Sequence, residues 1–273
     1  MDPKDKSAKT RTYWEESARQ HGLDVKATTR TPTAKRLEIA ALTRVLASIK
    51  KDCGPLSILE AGCGNGQNCV ALAKAFPDDT FLGFDYIPEM VTAAIVMRDD
   101  SGISANAVSF TQADVTDLSK FSSQFDVVLS VRCLINLSTI DEQLKALTGL
   151  AGLVKDRGHL LLIENSDRTY GNQNNLRIAG GLDPRSPANF NLFLNDEKTV
   201  SHIKALGFDV DARDFSSLHD LILYVLLPMS NGGSIDYQHP IVEAATSLSL
   251  HLGEKSENFG AIGQNRLFVC RKS

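Results

Sequence analysis

The chain has 273 residues, 42% of them hydrophobic, enough to bury one large core in a single domain or in one domain with a cap. A net charge of −4 at pH 7 argues against a nucleic-acid partner, and no apolar run reaches the ~18 residues of a membrane helix. Five cysteines without C-x-x-C spacing and six histidines without an H-x-x-x-H pair predict reduced thiols, a cytoplasmic location and no metal site.

The first 54 residues are predicted to form a helical arm or lid ahead of the core, which spans 55–273. A short helix is expected around Tyr13–Arg19. A second helix begins with Thr31 as N-cap and Pro32 at the first helical position, because the proline ring already holds a helical φ. Gly54 and Pro55 mark the end of this arm.

A glycine-rich turn follows the arm. The run Leu59–Gln67 comes after an apolar stretch and before apolar residues at helical spacing, which predicts a strand, a tight turn and a helix start. Its glycines, Gly62, Gly64 and Gly66, allow a backbone bend and a close approach to a ligand that a Cβ would prevent. Free N–H groups at the helix start would face that ligand. We therefore expect a bound ligand at this turn.

The spacing of the turn indicates what the ligand is. A dinucleotide-binding turn reads G-x-G-x-x-G or A, whereas here the third glycine comes one position early and Gln67 follows it. Glu60 would also repel a pyrophosphate, but it suits a ligand with a cationic end such as a sulfonium and an amino group. At this point the chain resembles the class I S-adenosylmethionine-dependent methyltransferases, whose first motif is an acid-x-G-x-G-x-G run.

Acidic residues also end the next two predicted strands. Thr80–Asp85 reads as a second strand whose terminal acid, 21 positions after Gly64, can accept both hydroxyls of a ribose. Val108–Val115 reads as a third strand, and the resemblance places its Asp114 beside the adenine amino group. Taken singly, each acid is equally explained as a turn or cap residue, so the set of them supports the resemblance.

The resemblance implies S-adenosylmethionine as cofactor, S-adenosylhomocysteine as product, and a set of cofactor-binding residues. In that set Arg36 would hold the cofactor carboxylate, Tyr13 would close over the cofactor, and Arg132 would fix the cofactor edge or an anionic substrate group. The implied set is Tyr13, Arg36, Glu60, Gly62, Gly64, Asn65, Gly66, Asp85, Tyr86, Ile87, Asp114, Val115, Val131 and Arg132.

Strands and helices alternate from the first predicted strand through Phe125–Val131 and Gly158–Glu164, which implies right-handed βαβ units and a parallel sheet. Leu221–Leu227 and Arg266–Arg271 read as a closing strand pair, the last antiparallel as the resemblance implies. The predicted fold is a Rossmann-like, doubly wound, seven-stranded α/β sheet, mostly parallel, with an N-terminal arm and inserted cap segments.

Two long insertions, at about 166–195 and 228–264, are expected to roof the ligand crevice and so to favour a small substrate. Amides and aromatic rings in them suit a sugar or another polyhydroxylated acceptor, although asparagine also populates turns. The candidate substrate-binding residues are Tyr170, Asn172, Asn175, Arg177 and Tyr237.

Methyl transfer requires a general base only when the attacking group is a hydroxyl that must lose its proton. His239 and Glu164 are the candidate bases, and Glu164 is equally explained as a structural acid. The sequence thus predicts an enzyme that methylates a small polar acceptor, such as a sugar or a secondary metabolite, at oxygen. A protein or RNA methyltransferase, a nicotinamide-dependent enzyme and a non-catalytic S-adenosylmethionine-binding regulator remain alternatives, and the oligomeric state is open.

Overall fold

The computed structural model describes residues 3–273, apart from the side chains of residues 52, 254 and 257, so the first two residues of the predicted arm lie outside the described part. The strands are β1 (Ser57–Ala61), β2 (Thr80–Asp85), β3 (Val108–Gln112), β4 (Phe125–Val131), β5 (Val154–Asn165), β6 (Phe208–Asp214) and β7 (Asn265–Lys272). They form one sheet of order β3-β2-β1-β4-β5-β7-β6, in which β7 is antiparallel to both of its neighbours. The predicted seven-stranded fold is confirmed.

Helices cover both faces of this sheet. They are α1 (Pro3–His21), α2 (Pro32–Ile49), α3 (Gln67–Ala75), α4 (Pro88–Asp100), α5 (Ile140–Gly152), α6 (Asp167–Ala179), α7 (Asp196–Ala205), α8 (Ser217–Leu221), α9 (Leu227–Ser230) and α10 (Pro240–Leu252). A π-helical turn, Ile222–Leu226, joins α8 to α9.

The central strands are buried on both sides because their successive side chains point to opposite faces. Along β1, Ile58 packs into the core that contains α2 and α3, whereas Leu59 packs into the core that contains α5 and α7. Leu160 and Leu161 of β5 divide between the same two cores. The continuous apolar runs of these strands follow from this double burial.

The predicted closing strand at Leu221–Leu227 is wrong, because this run is helical from α8 through the π-helical turn into α9. A short run of consecutive apolar residues fits a buried helix as well as a buried strand, and periodicity cannot separate the two. The closing strand is instead β6, where Phe208 and Val210 alternate with acidic residues. The second insertion therefore spans 215–264 and includes the helical run.

The N-terminal arm is more helical than the sequence predicts, since α1 covers 19 residues rather than the short segment expected. The Ser17 hydroxyl donates to the Ala27 carbonyl at 2.9 Å, and Ala18 packs with Ile87 and Met90 against α4. These contacts place α1 beside the carboxyl end of β2. Among the described residues, no helix combines the length and apolarity that crossing a membrane requires.

Candidate functional site

A cavity of about 660 Å³ lies at the carboxyl ends of the parallel strands, where open α/β sheets bind ligands. The segments that follow β1, β2, β3 and β4 line it, together with Asn165 at the end of β5. All five tyrosines and the single tryptophan of the chain also line this cavity. Below, the glycine-turn side denotes Gly62, Gly64, Asp85 and Asp114; the tyrosine side denotes Tyr170, Arg185, Asp220, Tyr224 and Tyr237.

The glycine turn packs too tightly to admit side chains. Gly62 and Gly64 have φ of +66° and +52°, which disfavour residues with a Cβ. A Cβ on Gly62 would lie 2.5 Å from the Cys133 sulfur, and one on Gly64 would lie 2.5 Å from Thr28 Cγ2. The turn is thereby held between the loop after β4 and the N-terminal arm.

Asp85 presents a carboxylate to the cavity from the end of β2. Its Oδ2 accepts the Gly64 N–H at 2.9 Å, and its Oδ1 accepts the Ile87 N–H at 3.0 Å. Each oxygen keeps a lone pair that can accept a hydroxyl of a bound ligand. Burial raises the pKa of Asp85 to about 6, although these backbone donors oppose the shift.

Asn65 joins the turn to the arm. Its buried Nδ2 donates to the carbonyls of Gly22 and Asp24, each at 3.0 Å. Its Oδ1 has no hydrogen-bond partner among the described residues, although Asn65 lines the cavity. An unpartnered acceptor at this position suits a ligand that carries hydrogen-bond donors.

Three predicted cofactor residues near the turn are buried away from the cavity lining. Glu60 accepts the Asn68 amide at 2.7 Å and the Cys69 thiol at 2.9 Å, so it fastens α3 to β1, and burial raises its pKa. Gly66 begins α3. Ile87 packs with α1 and α4. The structure thus shows all three in structural roles and outside the cavity lining.

Apart from Arg36, the remaining predicted cofactor residues do line the cavity. Asp114 follows β3 and is exposed, and its Oδ1 accepts the N–H and the hydroxyl of Thr116. Tyr86, Val115 and Val131 line the same wall.

An ion-pair network in the cavity wall joins the predicted Arg132 to Lys35 and Glu38, which the sequence analysis did not predict. The buried Glu38 carboxylate is 3.0 Å from Lys35 Nζ and 2.8 Å from Arg132 Nε, and it accepts the Asn265 amide at 2.9 Å. Burial opposes ionisation of Glu38, but Arg132 and Lys35 outweigh it and hold the pKa below its ordinary value. The signal in the sequence was a Lys–Glu pair on the apolar face of α2.

The N-terminal arm forms part of the roof. Tyr13 packs against Phe190 with ring centroids 4.4 Å apart, and the Trp14 indole donates to Asn136 Oδ1 at 3.1 Å. Arg36 lies elsewhere: it is exposed, pairs with Glu243 of α10 at 2.5 Å, and is absent from the cavity lining. Arg36 therefore lies outside the wall at which its predicted contact with the cofactor carboxylate would form.

On the tyrosine side, Tyr170 and Tyr237 line the cavity as the sequence suggested, and Arg185 and Tyr224 join them. The Arg185 guanidinium lies 3.7 Å from the Tyr224 ring centroid and 5.3 Å from that of Tyr170. These two distances describe a cation held against aromatic faces.

The other predicted substrate residues lie outside the cavity lining. Arg177 is buried and donates to the carbonyls of Asp183 and Tyr224. Asn172 donates to the Ala261 carbonyl at 2.9 Å, and Asn175 is exposed on α6. Neither asparagine nor Arg177 lines the cavity.

Neither predicted base lies in the cavity lining. Glu164 is fully buried and accepts Ser130 Oγ at 2.8 Å and the N–H groups of Cys133, Leu134 and Ile135. It thus holds the loop after β4, which is the structural alternative for this residue. His239 is the N-cap of α10 and accepts the Ile241 N–H, so the structure gives it a capping role.

Solved structures share this fold at low sequence identity. The plantazolicin methyltransferase BamL, solved with a triazolic analog and S-adenosylhomocysteine, superposes with a TM-score of 0.57 over 97% of this chain and 91% of its own, at 14% identity. Magnesium protoporphyrin IX methyltransferase of Synechocystis PCC 6803 superposes with a TM-score of 0.56 over 86% of this chain and 82% of its own, at 15% identity. The [4+2]-cyclase SpnF superposes with a TM-score of 0.56 over 85% of this chain and 80% of its own, at 19% identity. These structural similarities establish the fold of this chain and do not specify its reaction.

Sequence relatives carry methyltransferase names. A protein of Encephalitozoon cuniculi named as a methyltransferase is 28% identical over 146 residues, 54% of this chain and 62% of its own. Ajmaline N-methyltransferase of Rauvolfia serpentina is 30% identical over 97 residues, 36% and 33% respectively. The chain thus spans less than two thirds of the length of either relative. A tRNA N(3)-methylcytidine methyltransferase of Schizosaccharomyces pombe is 25% identical over 177 residues, 59% and 67%.

A family model described as a methyltransferase domain matches residues 54–205, more than half of the chain. The matched segment begins before β1 and ends with α7, so it contains the glycine turn, Asp85 and Asp114. The chain therefore belongs to the class I S-adenosylmethionine-dependent methyltransferase family.

Proposed function

We propose that this enzyme transfers a methyl group from S-adenosylmethionine to an oxygen of a small polar acceptor, such as a hydroxyl of a sugar or a secondary metabolite. The observation that carries the proposal is that one roofed cavity has both the glycine-turn side and the tyrosine side in its wall. The first supplies acceptors for a nucleoside, and the second supplies hydroxyls and a cation for a polar partner.

The residues of the glycine-turn side fit the family's cofactor. Asp85 would accept the ribose hydroxyls, the turn at Gly62 and Gly64 would lie against the cofactor, and Asp114 would hold the adenine amino group. The unpartnered Oδ1 of Asn65 adds a further acceptor there. When bound, S-adenosylmethionine supplies an electrophilic methyl group on its sulfonium.

The chain's own contribution is to orient the acceptor and to exclude water. Alignment of two reactants in one cavity replaces a bimolecular encounter by an intramolecular step. The roof of Tyr13, Trp14 and Phe190 supplies apolar surface over the cavity and so limits competing attack by water.

Asp220 is the acid that we place in the role of proton acceptor for an acceptor hydroxyl. It lines the cavity, and its Oδ2 accepts the Ser216 hydroxyl at 3.0 Å and the Gln264 N–H at 2.6 Å. Its Oδ1 lies 2.7 Å from Nδ1 of the buried His219, whose Nε2 lies 3.0 Å from Thr33 Oγ1. These contacts orient the carboxylate, and His219 acts as a positioning residue.

An RNA acceptor is the second candidate, because one relative is named as a tRNA methyltransferase. Two features favour the small acceptor instead. The net charge of −4 gives no general attraction for a polyanion. Tyr13 and Trp14 of α1 also pack with Phe190 in the cavity wall, and such a covered cavity suits a small ligand better than a nucleic-acid strand.

Methyl-labelled S-adenosylmethionine distinguishes these acceptors. Purified enzyme is incubated with a panel of hydroxylated small molecules, with bulk tRNA, and with unfolded protein, and the label is followed into each fraction. The proposal expects label in an extractable small molecule, bound as a base-stable methyl ether. Label that precipitates with tRNA or with protein, or that appears on a small-molecule nitrogen, would contradict it.

A further inference from the structure

The tyrosine side contains a guanidinium with unused donors. Arg185 Nη1 donates to Gln173 Oε1 at 2.7 Å, and this is the hydrogen bond its guanidinium makes within the described part of the chain. The Arg185 backbone N–H is anchored separately, by Asn174 Oδ1 at 2.9 Å. A guanidinium has five N–H donors in a fixed plane, so most of those of Arg185 remain for a ligand.

Aromatic faces fix the plane of this guanidinium. The Tyr224 ring centroid is 3.7 Å from Arg185 Cζ, and the Tyr170 ring packs edge-on against Phe193 with centroids 4.9 Å apart. A stacked arginine loses little side-chain entropy when it binds, because its fork is already oriented. Arg185 is therefore preorganised rather than a mobile surface cation.

The two arginines near the tyrosine side, Arg185 and Arg177, are not bound to carboxylates within the described chain. Arg177 is a second cation nearby. Burial lowers the pKa of Arg177, repulsion by Arg185 lowers it further, and Tyr170 and Asp183 oppose both effects. Neither arginine forms an ion pair with a carboxylate among the described residues. The Asp220 carboxylate on this side is already held by Ser216, the Gln264 N–H and His219. A half-buried guanidinium in the cavity wall without an ion-pair partner favours an anionic ligand.

We propose that the acceptor carries a carboxylate and that Arg185 is the residue that selects it. A planar carboxylate matches the fork of a planar guanidinium by two parallel hydrogen bonds, which neutral groups cannot reproduce. The tyrosines and Phe193 beside it favour an acceptor whose carboxylate is attached to a flat or aromatic body. This inference rests on the proposed function, because it names the acceptor of the same cavity.

The test uses three matched fragments on the full chain saturated with S-adenosylhomocysteine: benzoate, its neutral amide benzamide, and phenyl phosphate. Affinities are measured by ligand-observed NMR titration. Wild type is expected to bind benzoate at least about tenfold more tightly than benzamide, since hydrogen bonds to charged groups contribute the difference. No preference for benzoate over benzamide, or a preference for phenyl phosphate over benzoate, would overturn the proposal.

Three variants assign the preference to Arg185. R185Q is expected to lose at least about tenfold in benzoate affinity, whereas R185K, which keeps the charge but lacks the fork, loses less. R168Q, the same change at an exposed arginine on α6, serves as the matched control and should bind benzoate like wild type. An R185Q protein that binds benzoate as tightly as R168Q would refute the assignment.

Titration of the same variants with S-adenosylhomocysteine separates this inference from the proposed function. All three variants should bind it like wild type, which also shows that they are folded. Binding of S-adenosylhomocysteine without a benzoate preference would refute only the carboxylate proposal. Absence of that binding in wild type would refute the proposed function.

Discussion

Asp85 is the residue on which the cofactor side depends most directly. Its carboxylate closes the glycine turn through the Gly64 N–H and still faces the cavity. Asp85→Ala should weaken S-adenosylhomocysteine binding by about 1.5–3 kcal/mol, or about one to two decades in Kd, because an ionised acceptor is lost. Isothermal titration at pH 8 measures this, with Asp209→Ala on β6 as a control on an exposed acid. Equal affinities of the two variants would remove Asp85 from the site.

The pKa of Asp85 predicts a pH dependence of cofactor binding. Burial raises that pKa from 3.8 to about 6, so the carboxylate is ionised at pH 8 and becomes protonated as the pH falls through 6. Protonation removes an acceptor for the ribose hydroxyls, so affinity should be constant above about pH 7 and decline below it. The decline should be absent in Asp85→Ala. A wild-type affinity that does not change between pH 5 and pH 8 would contradict this prediction.

Substitution of Glu164 distinguishes its two candidate roles, a structural acid and a general base. Its oxygens accept one hydroxyl and three backbone N–H groups, although burial raises its pKa to about 7. Glu164→Gln places an amide donor against N–H donors, so the free energy of unfolding should fall by ~1–3 kcal/mol. Urea denaturation measures the loss. Unchanged stability together with lost turnover would instead make Glu164 the base.

At the scale of elements, α1 roofs the cavity and contacts the core through Ala18 packing on Met90 and the Trp14–Asn136 hydrogen bond. Trp14→Ala removes the hydrogen bond to Asn136 and the ring that packs beside Phe190. We expect faster hydrogen exchange in α1, and bound S-adenosylhomocysteine should slow that exchange in wild type. Val96→Ala on the exposed face of α4 is the control. Exchange in α1 that responds neither to Trp14→Ala nor to the ligand would exclude a lid role.

Local patterns predict the elements well where one reading of the pattern is possible. β2 and β4 begin and end at the residues expected. Thr139 and Glu142 form a capping box at the start of α5, which their T-x-x-E spacing indicates. The Leu221–Leu227 run failed because consecutive apolar residues fit either type of buried element. β6 was missed because its exposed charges interrupt the apolar pattern at the edge of the sheet.

The residues of the candidate site also differ in how well the sequence predicts them. The glycine turn, Asp85 and Asp114 could be predicted because each lies at or just after the carboxyl end of a strand, and these strands are neighbours in the sheet. Arg185 and Asp220 reach the cavity only through the folding of long insertions, which no local pattern specifies. His239 had a readable signal that pointed to capping, since Pro240 after it marks a helix start.

For the whole molecule, three separate segments complete one cavity: the N-terminal arm, the insertion after β5 and the insertion before β7. In our proposal the sheet positions the residues of the cofactor side, whereas the insertions select the acceptor. Structures that share the fold include a cyclase as well as methyltransferases, so the fold by itself does not specify the acceptor. The identity of the acceptor therefore has to be sought in the tyrosine side.

Calorimetric titration of the purified chain with S-adenosylmethionine, S-adenosylhomocysteine and NAD⁺ tests the central claim most directly. The glycine spacing, the Asp85 carboxylate and the unpartnered Asn65 Oδ1 predict micromolar binding of both sulfur compounds and no heat with NAD⁺. Binding of NAD⁺, or the absence of binding by both sulfur compounds, would contradict the account of this cavity as a methyltransferase site.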